Sequence, residues 1–215
     1  MVVGRIVSVL IGYALGLFET GYIFGKLKKT DIRQHGSGNA GSTNALRVFG
    51  LKGGLITFAG DLTKSMLSVF LVWLIFKNQY PDGVRMLMMY GGLGAILGHN
   101  FPFYLNFNGG KGIACTAGFV IAFCPIAAPL AFVAFIGIVL VTKYVSLGSL
   151  IAITIVFLEF ILLGNMGMLN LHPEYLYEGY LIIIIISALA IIRHRSNIVR
   201  LIKGTENKMG LKKKN

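Results

Sequence analysis

Residues 113–141 read IACTAGFVIAFCPIAAPLAFVAFIGIVLV, a run without a charged side chain and with prolines at 125 and 129. The fold turns on whether this run crosses a bilayer once or twice. A hydrocarbon core of about 30 Å takes about 20 helical residues at about 1.5 Å each, so the run is generous for one span and short for two. Lys111 precedes it and Lys143 follows it. Basic flanks stay on the cytoplasmic side, so the number of crossings between them is even. Two short helices turning near Pro125 and Pro129 satisfy that parity.

Further apolar segments lie at approximately 2–25, 53–76, 84–105, 146–169 and 176–192. Of 215 residues 55% are hydrophobic and only 13% charged, with mean hydropathy +0.75. An ordinary soluble chain carries about a quarter charged residues, so most of this one belongs in lipid. Residues 26–52 hold Lys26, Lys28, Lys29, Arg33, Arg47 and Lys52 against Asp31 alone, which puts that loop inside; Arg5 is the only basic residue before it, which puts the N-terminus outside. The tail from Arg193 is strongly basic, and residues 170–178 carry Glu174 and Glu178 without Lys or Arg. The expectation is an all-α integral membrane protein of seven transmembrane helices, two of them short in the hairpin at 113–141, with the N-terminus outside and the C-terminus cytoplasmic. It forms one polytopic domain over 1–215 that ends in a basic cytoplasmic tail, 201–215. The first apolar run is longer than a signal-peptide core and has no small-residue cleavage site before Lys26, so it reads as a retained helix. The net charge of +12 is concentrated at segment ends, which orients a membrane protein and gives no reason to invoke nucleic acid. Cys115 and Cys124 read as buried thiols.

The chemistry must lie in the polar stretches. Residues 36–47, GSGNAGSTNALR, interleave glycines with Ser, Asn and Thr and end on Arg47. Glycine lets backbone N–H groups approach an oxyanion, and an arginine forks two donors onto phosphate, so Ser37, Gly38, Asn39, Asn44 and Arg47 are candidates for a phosphate cradle. A flexible basic turn near the membrane is the plainer alternative. Residues 107–112, FNGGKG, again set a cation, Lys111, among glycines at the mouth of a helix, where unpaired N–H groups favour anions. Ile113 stands where a Walker loop would need a hydroxyl, so nucleotide hydrolysis is disfavoured. Residues 142–149 offer hydroxyls, including Ser149, that could equally bond their own helix. His194 and Asn197 lie three apart on one helical face of a basic segment that could also bind lipid headgroups. Asp61 and Lys64 read as an ion pair within a span, Glu19 and Glu159 as single acids lining polar cavities or bonding between helices. His35 and His172 attract no role. No metal-ligand spacing is present, and no metal or cofactor is expected.

Together these stretches resemble the acyl-phosphate-dependent glycerol-3-phosphate acyltransferase family of bacterial membranes. The match runs through Asp31-Ile32-Arg33, Gly36 to Asn39 and Arg47, then Gly98-His99 with Phe101-Pro102, Phe107 to Gly112, Tyr144 to Ser149, and Arg193 to Lys208 with Gly204-Thr205-Glu206. The resemblance implies a seven-helix plasma-membrane enzyme, its site facing the cytoplasm, that moves an acyl group from acyl phosphate to the 1-hydroxyl of glycerol 3-phosphate and releases phosphate and lysophosphatidate. It implies catalytic roles for Ser37, Arg47, Lys111, Ser149, His194 and Asn197, substrate binding by Gly38, Asn39, Asn44, Gly109, Gly110 and Gly112, and structural support of the tail by Glu206. The implied partners are the two substrates, the bilayer and the enzyme that makes acyl phosphate. Lys111 is expected at the acceptor phosphate and Arg47 at the acyl phosphate, an assignment that could be exchanged. The hydroxyl proton would go to His194 or to a substrate phosphate. Cys115 stands where the family usually has Thr, Ser65 where it has Gly, and Phe18-Glu19-Thr20 departs from its usual Ser and Pro. The competing class is a transporter of a phosphorylated or other anionic solute, for which broken helices suffice but repeat symmetry is missing. A structural lipid-binding protein would explain the basic tail and not the polar loops.

Overall fold

A computed structural model describes residues 1–209; Lys212, Lys213 and Lys214 of the basic tail lie outside the described residues. Among these the fold is all-helical: α1 (Val2–Gly16), α2 (Thr20–Leu27), α3 (Ser42–Phe76), α4 (Val84–Asn100), α5 (Ile113–Phe123), α6 (Ala128–Thr142), α7 (Val145–Asn165), α8 (Leu176–Arg193) and α9 (Arg195–Ile202), with short 3₁₀ turns between some of them. Among the described residues five stretches are long and apolar enough to cross a membrane: Val2–Leu27, Ser42–Phe76, Pro125–Thr142, Val145–Asn165 and Pro173–Arg193.

The run at 113–141 is two helices, α5 of 11 residues and α6 of 15, separated at Cys124 by a 3₁₀ turn that Pro125 opens. Three expected segments differ in detail. The first is broken at residues 17–19, and the carbonyls freed there accept from Tyr104 Oη (Leu17 O, 2.6 Å) and Lys64 Nζ (Phe18 O, 2.8 Å). That leaves Glu19 facing inward, fully buried. The second begins at Ser42, well before residue 53, and breaks at Gly50, where φ +73 is open to glycine and strained for most other residues. The third stops at Asn100, short of residue 105, because Pro102 excludes the helical conformation just before it.

α4 is buried on nearly every side and forms the axis of the molecule. Gly12 and Gly16 of α1 meet Gly94 and Gly98 of α4, so closely that a Cβ on any of them would strike the other helix's backbone. Small residues allow this approach, which in lipid supplies dispersion contacts that the hydrophobic effect does not. Phe119, Phe123 and Phe160 cluster with centroids 5.5–5.9 Å apart where α5 meets α7. Arg5 and Tyr90 both reach Glu178, at 2.5 and 2.7 Å, tying α1, α4 and α8 together.

The connections sort to two ends. At one, Gly83 lies against Met1 and Tyr175, and Arg85 donates to Phe123 O (2.9 Å) and Leu169 O (2.7 Å). At the other, Asn39 donates to Gly109 O (3.1 Å), Arg33 to Leu105 O (3.5 Å), and the Met209 N–H to Lys143 O (2.8 Å). The four stretches singled out from sequence all belong to this second end.

Candidate active site

At that end a polar cavity of about 160 Å³ is lined from the first loop by Ser37, Asn39, Asn44 and Arg47, and from the other three stretches by Lys111, Gly112, Ser149, His194 and Asn197. Gly38, Gly109 and Gly110, expected to bind substrate, are not among the residues that line it. The N-terminal residues of α3 (Ser42, Thr43), α5 (Ile113, Ala114) and α7 (Val145, Ser146) also face it, as do His194 and Asn197 at the start of α9. The N-termini of α3, α5 and α7 each present unpaired N–H groups and about half a positive charge, so three of them around one cavity favour an anion before any side chain is counted; α9 follows α8 directly, and the N–H groups there are bonded to α8 carbonyls.

The first loop is not the backbone cradle its glycines suggest. The N–H of Ser37 donates to Asn44 Oδ1 (2.8 Å), that of Gly38 to His35 O (3.1 Å) and that of Gly41 to Asn39 Oδ1 (3.0 Å). Asn44 is buried and its amide nitrogen lies within 3.1 Å of three carbonyls, those of Ile32, His35 and Asn39. Asn44 therefore shapes the loop, while the groups left facing the cavity are the Ser37, Ser42 and Thr43 side chains and Arg47. Among the described residues the Arg47 guanidinium makes one long hydrogen bond, to Asn207 O at 3.5 Å.

Lys111 Nζ donates to Asn197 Oδ1, and Asn197 Nδ2 donates to Glu206 Oε2 at 3.1 Å. Arg200 Nε meets the same oxygen at 3.1 Å, and the Asn207 N–H donates to Glu206 Oε1 at 3.0 Å, so Glu206 pins the tail under the cavity. Burial foremost, then the Arg200 charge, pushes Lys111 down to about 8. An anion placed beside it would favour its ammonium form. His194 Nδ1 lies 2.8 Å from Ala190 O, which fixes the proton on Nδ1 and turns an unprotonated Nε2 outward. Burial and then Lys111 push His194 down to about 4, so it is neutral at physiological pH and a weak base. The Ser149 hydroxyl donates to Val145 O at 2.9 Å, the helix-bonding alternative, and so offers a ligand only lone pairs.

Three residues at the site carry no direct signal of a chemical role in the sequence. Arg193 donates to Gly110 O (3.0 Å) and Gly109 O (2.9 Å), holding the glycine turn from above. Its place beside His194 in a basic segment was the only signal. Asp61 and His99 line the cavity floor. Asp61, His99 and Cys115 converge, but Lys64 Nζ sits 3.0 Å from both Asp61 Oδ1 and His99 Nδ1, where a metal cation would have to be. Beside the polar cavity lies an apolar one of about 500 Å³ between α3, α5, α6 and α7; the two share Phe58, Ile113 and Phe135.

Residues 6–204 match the sequence model of the family described as glycerol-3-phosphate acyltransferase. A protein of that name from Halalkalibacterium halodurans is 43% identical over 206 residues, covering 95% of both chains. This chain belongs to the glycerol-3-phosphate acyltransferase family. Another family member, from Alkaliphilus metalliredigens, is 43% identical over 97% of both chains. The chain is also similar to a crystal structure described as the glycerol 3-phosphate form of PlsY (YgiH), an integral membrane glycerol 3-phosphate acyltransferase, with TM-score 0.82, 35% identity and 96% of both chains covered. The lysophosphatidic acid form of that enzyme matches with TM-score 0.79 and 34% identity over 96% of this chain and 95% of that one. These acyltransferase relatives cover the chain almost end to end and give the transporter reading no support.

Proposed function

We propose that this protein transfers a fatty acyl group from acyl phosphate to the 1-hydroxyl of glycerol 3-phosphate. The observation that carries the reading is the junction of a small cationic cavity with a larger apolar one at Phe58, Ile113 and Phe135. Two phosphates occupy the first and an acyl chain the second, which brings the reactive carbonyl to the boundary. Lys111 and the α5 N-terminus hold the glycerol phosphate; Arg47, Ser37 and the α3 N-terminus hold the acyl phosphate. The acceptor oxygen attacks the acyl carbon, the bond from that carbon to the phosphate oxygen breaks, and the hydroxyl proton leaves on phosphate. With His194 neutral and weakly basic, phosphate is the better proton acceptor, and His194 Nε2 orients the hydroxyl. Catalysis then comes from alignment and from cations beside developing negative charge.

The chain crosses the bilayer seven times, α1 and α2 together making the first crossing and α3 to α8 one each. The site end, with Lys26, Lys28, Lys29, Lys143, Arg195 and Lys203, faces the cytoplasm of a bacterial plasma membrane, and the N-terminus lies outside. The same basic face suits a visit from the enzyme that produces acyl phosphate.

The test is phosphate release and lysophosphatidate formation by purified protein in lipid cubic phase with palmitoyl phosphate and glycerol 3-phosphate. Arg47→Ala should abolish turnover. Ala117→Phe, which fills the apolar cavity, should lower kcat/KM for palmitoyl phosphate about tenfold or more while sparing a short-chain acyl phosphate. Solute flux into sealed vesicles without covalent product would refute the assignment.

A further inference from the structure

Four ionisable side chains are packed beneath the site with almost no exposure: Glu19 at the α1–α2 break, Asp61 and Lys64 on α3, and His99 in the last turn of α4. Lys64 Nζ lies 3.0 Å from Asp61 Oδ1, 3.0 Å from His99 Nδ1 and 3.6 Å from Glu19 Oε1, and His99 Nδ1 lies 2.9 Å from Glu19 Oε1. Such a group is expensive to bury, and well-packed apolar residues would join three helices as well or better. Its use should therefore be sought where it touches something else.

That place is the glycine turn before Lys111. The His99 imidazole presses on Gly110, so that a methyl there would overlap the ring at Nε2, and His99 O accepts from the Gly110 N–H at 3.0 Å. Arg193 and Asn39 hold the carbonyls of the same turn. Gly110 does not adopt a left-handed conformation, so its own backbone would accept alanine, and the three atoms nearest to a methyl there all belong to the ring. At Gly109 the obstacles are the His99 carbonyl oxygen and the Pro102 ring, which truncating His99 does not remove.

We propose that His99, held by Glu19, Asp61 and Lys64, is a positioning residue that sets the height of the Gly109–Gly110 turn and so the reach of Lys111 towards the glycerol phosphate. This rests on the reading of Lys111 as the acceptor-phosphate ligand. The network supports His99 through Nδ1, and the ring supports the turn through its opposite edge. Arg193 clamps the turn down onto that ring, which leaves the following residue one place to stand.

A size exchange between His99 and Gly110 tests this. Gly110→Ala lifts the turn off its support and His99→Ala removes the support; each should raise the KM for glycerol 3-phosphate about tenfold while moving the KM for palmitoyl phosphate less than about twofold. The double variant, whose new methyl occupies the space the ring left, should recover most of that loss, and pairing His99→Ala with Gly109→Ala should recover none. Glu19→Gln keeps the shape of the network and should raise the same KM with kcat little changed, which covers the case in which the alanine variants do not fold. Glycerol 3-phosphate binding by calorimetry on the same proteins decides the matter even if turnover is absent, and a wild type that binds without turnover would overturn the acyltransferase reading alone. A double variant no better than Gly110→Ala, or equal rises in both KM values, would overturn the clamp.

Discussion

Lys111 combines two properties that pull in opposite directions. As the proposed phosphate ligand it must be charged, yet it is buried among Arg47, Arg193 and Arg200, with Glu206 as the nearby counter-charge, and its affinity for a proton is pushed down to about 8. The protonated form is the one that binds, so in the free enzyme kcat/KM for glycerol 3-phosphate should fall as pH rises through about 8. A bound dianion restores the proton, so kcat should fall only at higher pH. Lys111→Arg stays charged throughout and should lose that alkaline limb even if its geometry costs activity. A limb unchanged in the arginine variant would dissociate Lys111 from phosphate binding. Asn44 and Ser149 carry a related lesson, since both residue types suggest ligand contacts and both are largely engaged by backbone in the structure. An amide or a hydroxyl reads the same in sequence whether it faces substrate or its own chain.

At the scale of elements, the breaks matter more than the helices. α3 turns at Gly50 (φ +73), which separates the first turns carrying Asn44 and Arg47 from the membrane-spanning part. A Cβ at Gly50 would meet nothing, so only the backbone resists substitution. Gly50→Ala and Gly50→Asn should each destabilise by about 1–3 kcal/mol, seen as a lower unfolding midpoint in detergent, because φ +73 with ψ −170 lies outside the left-handed helical well that asparagine tolerates. Equal midpoints for all three proteins would mean the break relaxes freely. The break at residues 17–19 similarly turns Glu19 inward and frees the Phe18 carbonyl for Lys64. Both segments are apolar enough to pass as continuous helices, and hydropathy does not register a local change of φ. The hairpin at 113–141 was different, because proline and the parity of its basic flanks both announced the turn.

For the whole molecule, the two ends differ in charge, and the proposed orientation predicts labelling from opposite sides. Cysteines placed at Asp82 and Lys203, both exposed, should react with an impermeant maleimide from outside and from inside respectively, over a low background because Cys115 and Cys124 are buried. Reaction of both from one side would refute the crossing count. Composition, the apolar runs and the placement of Lys and Arg made the membrane class, the helical hairpin and the four polar stretches legible from the chain alone, because transfer into lipid depends on residue type and length. The resemblance carried by those stretches extended that to the family. The convergence of the N-termini of α3, α5 and α7 with His194 and Asn197 on one cavity was decided only by tertiary structure, as were the grip of Arg193 on the glycine turn and the joining of Glu19 to Asp61, Lys64 and His99. These contacts connect residues up to 84 positions apart, and their strength depends on distances of a few ångströms that packing sets and linear spacing does not.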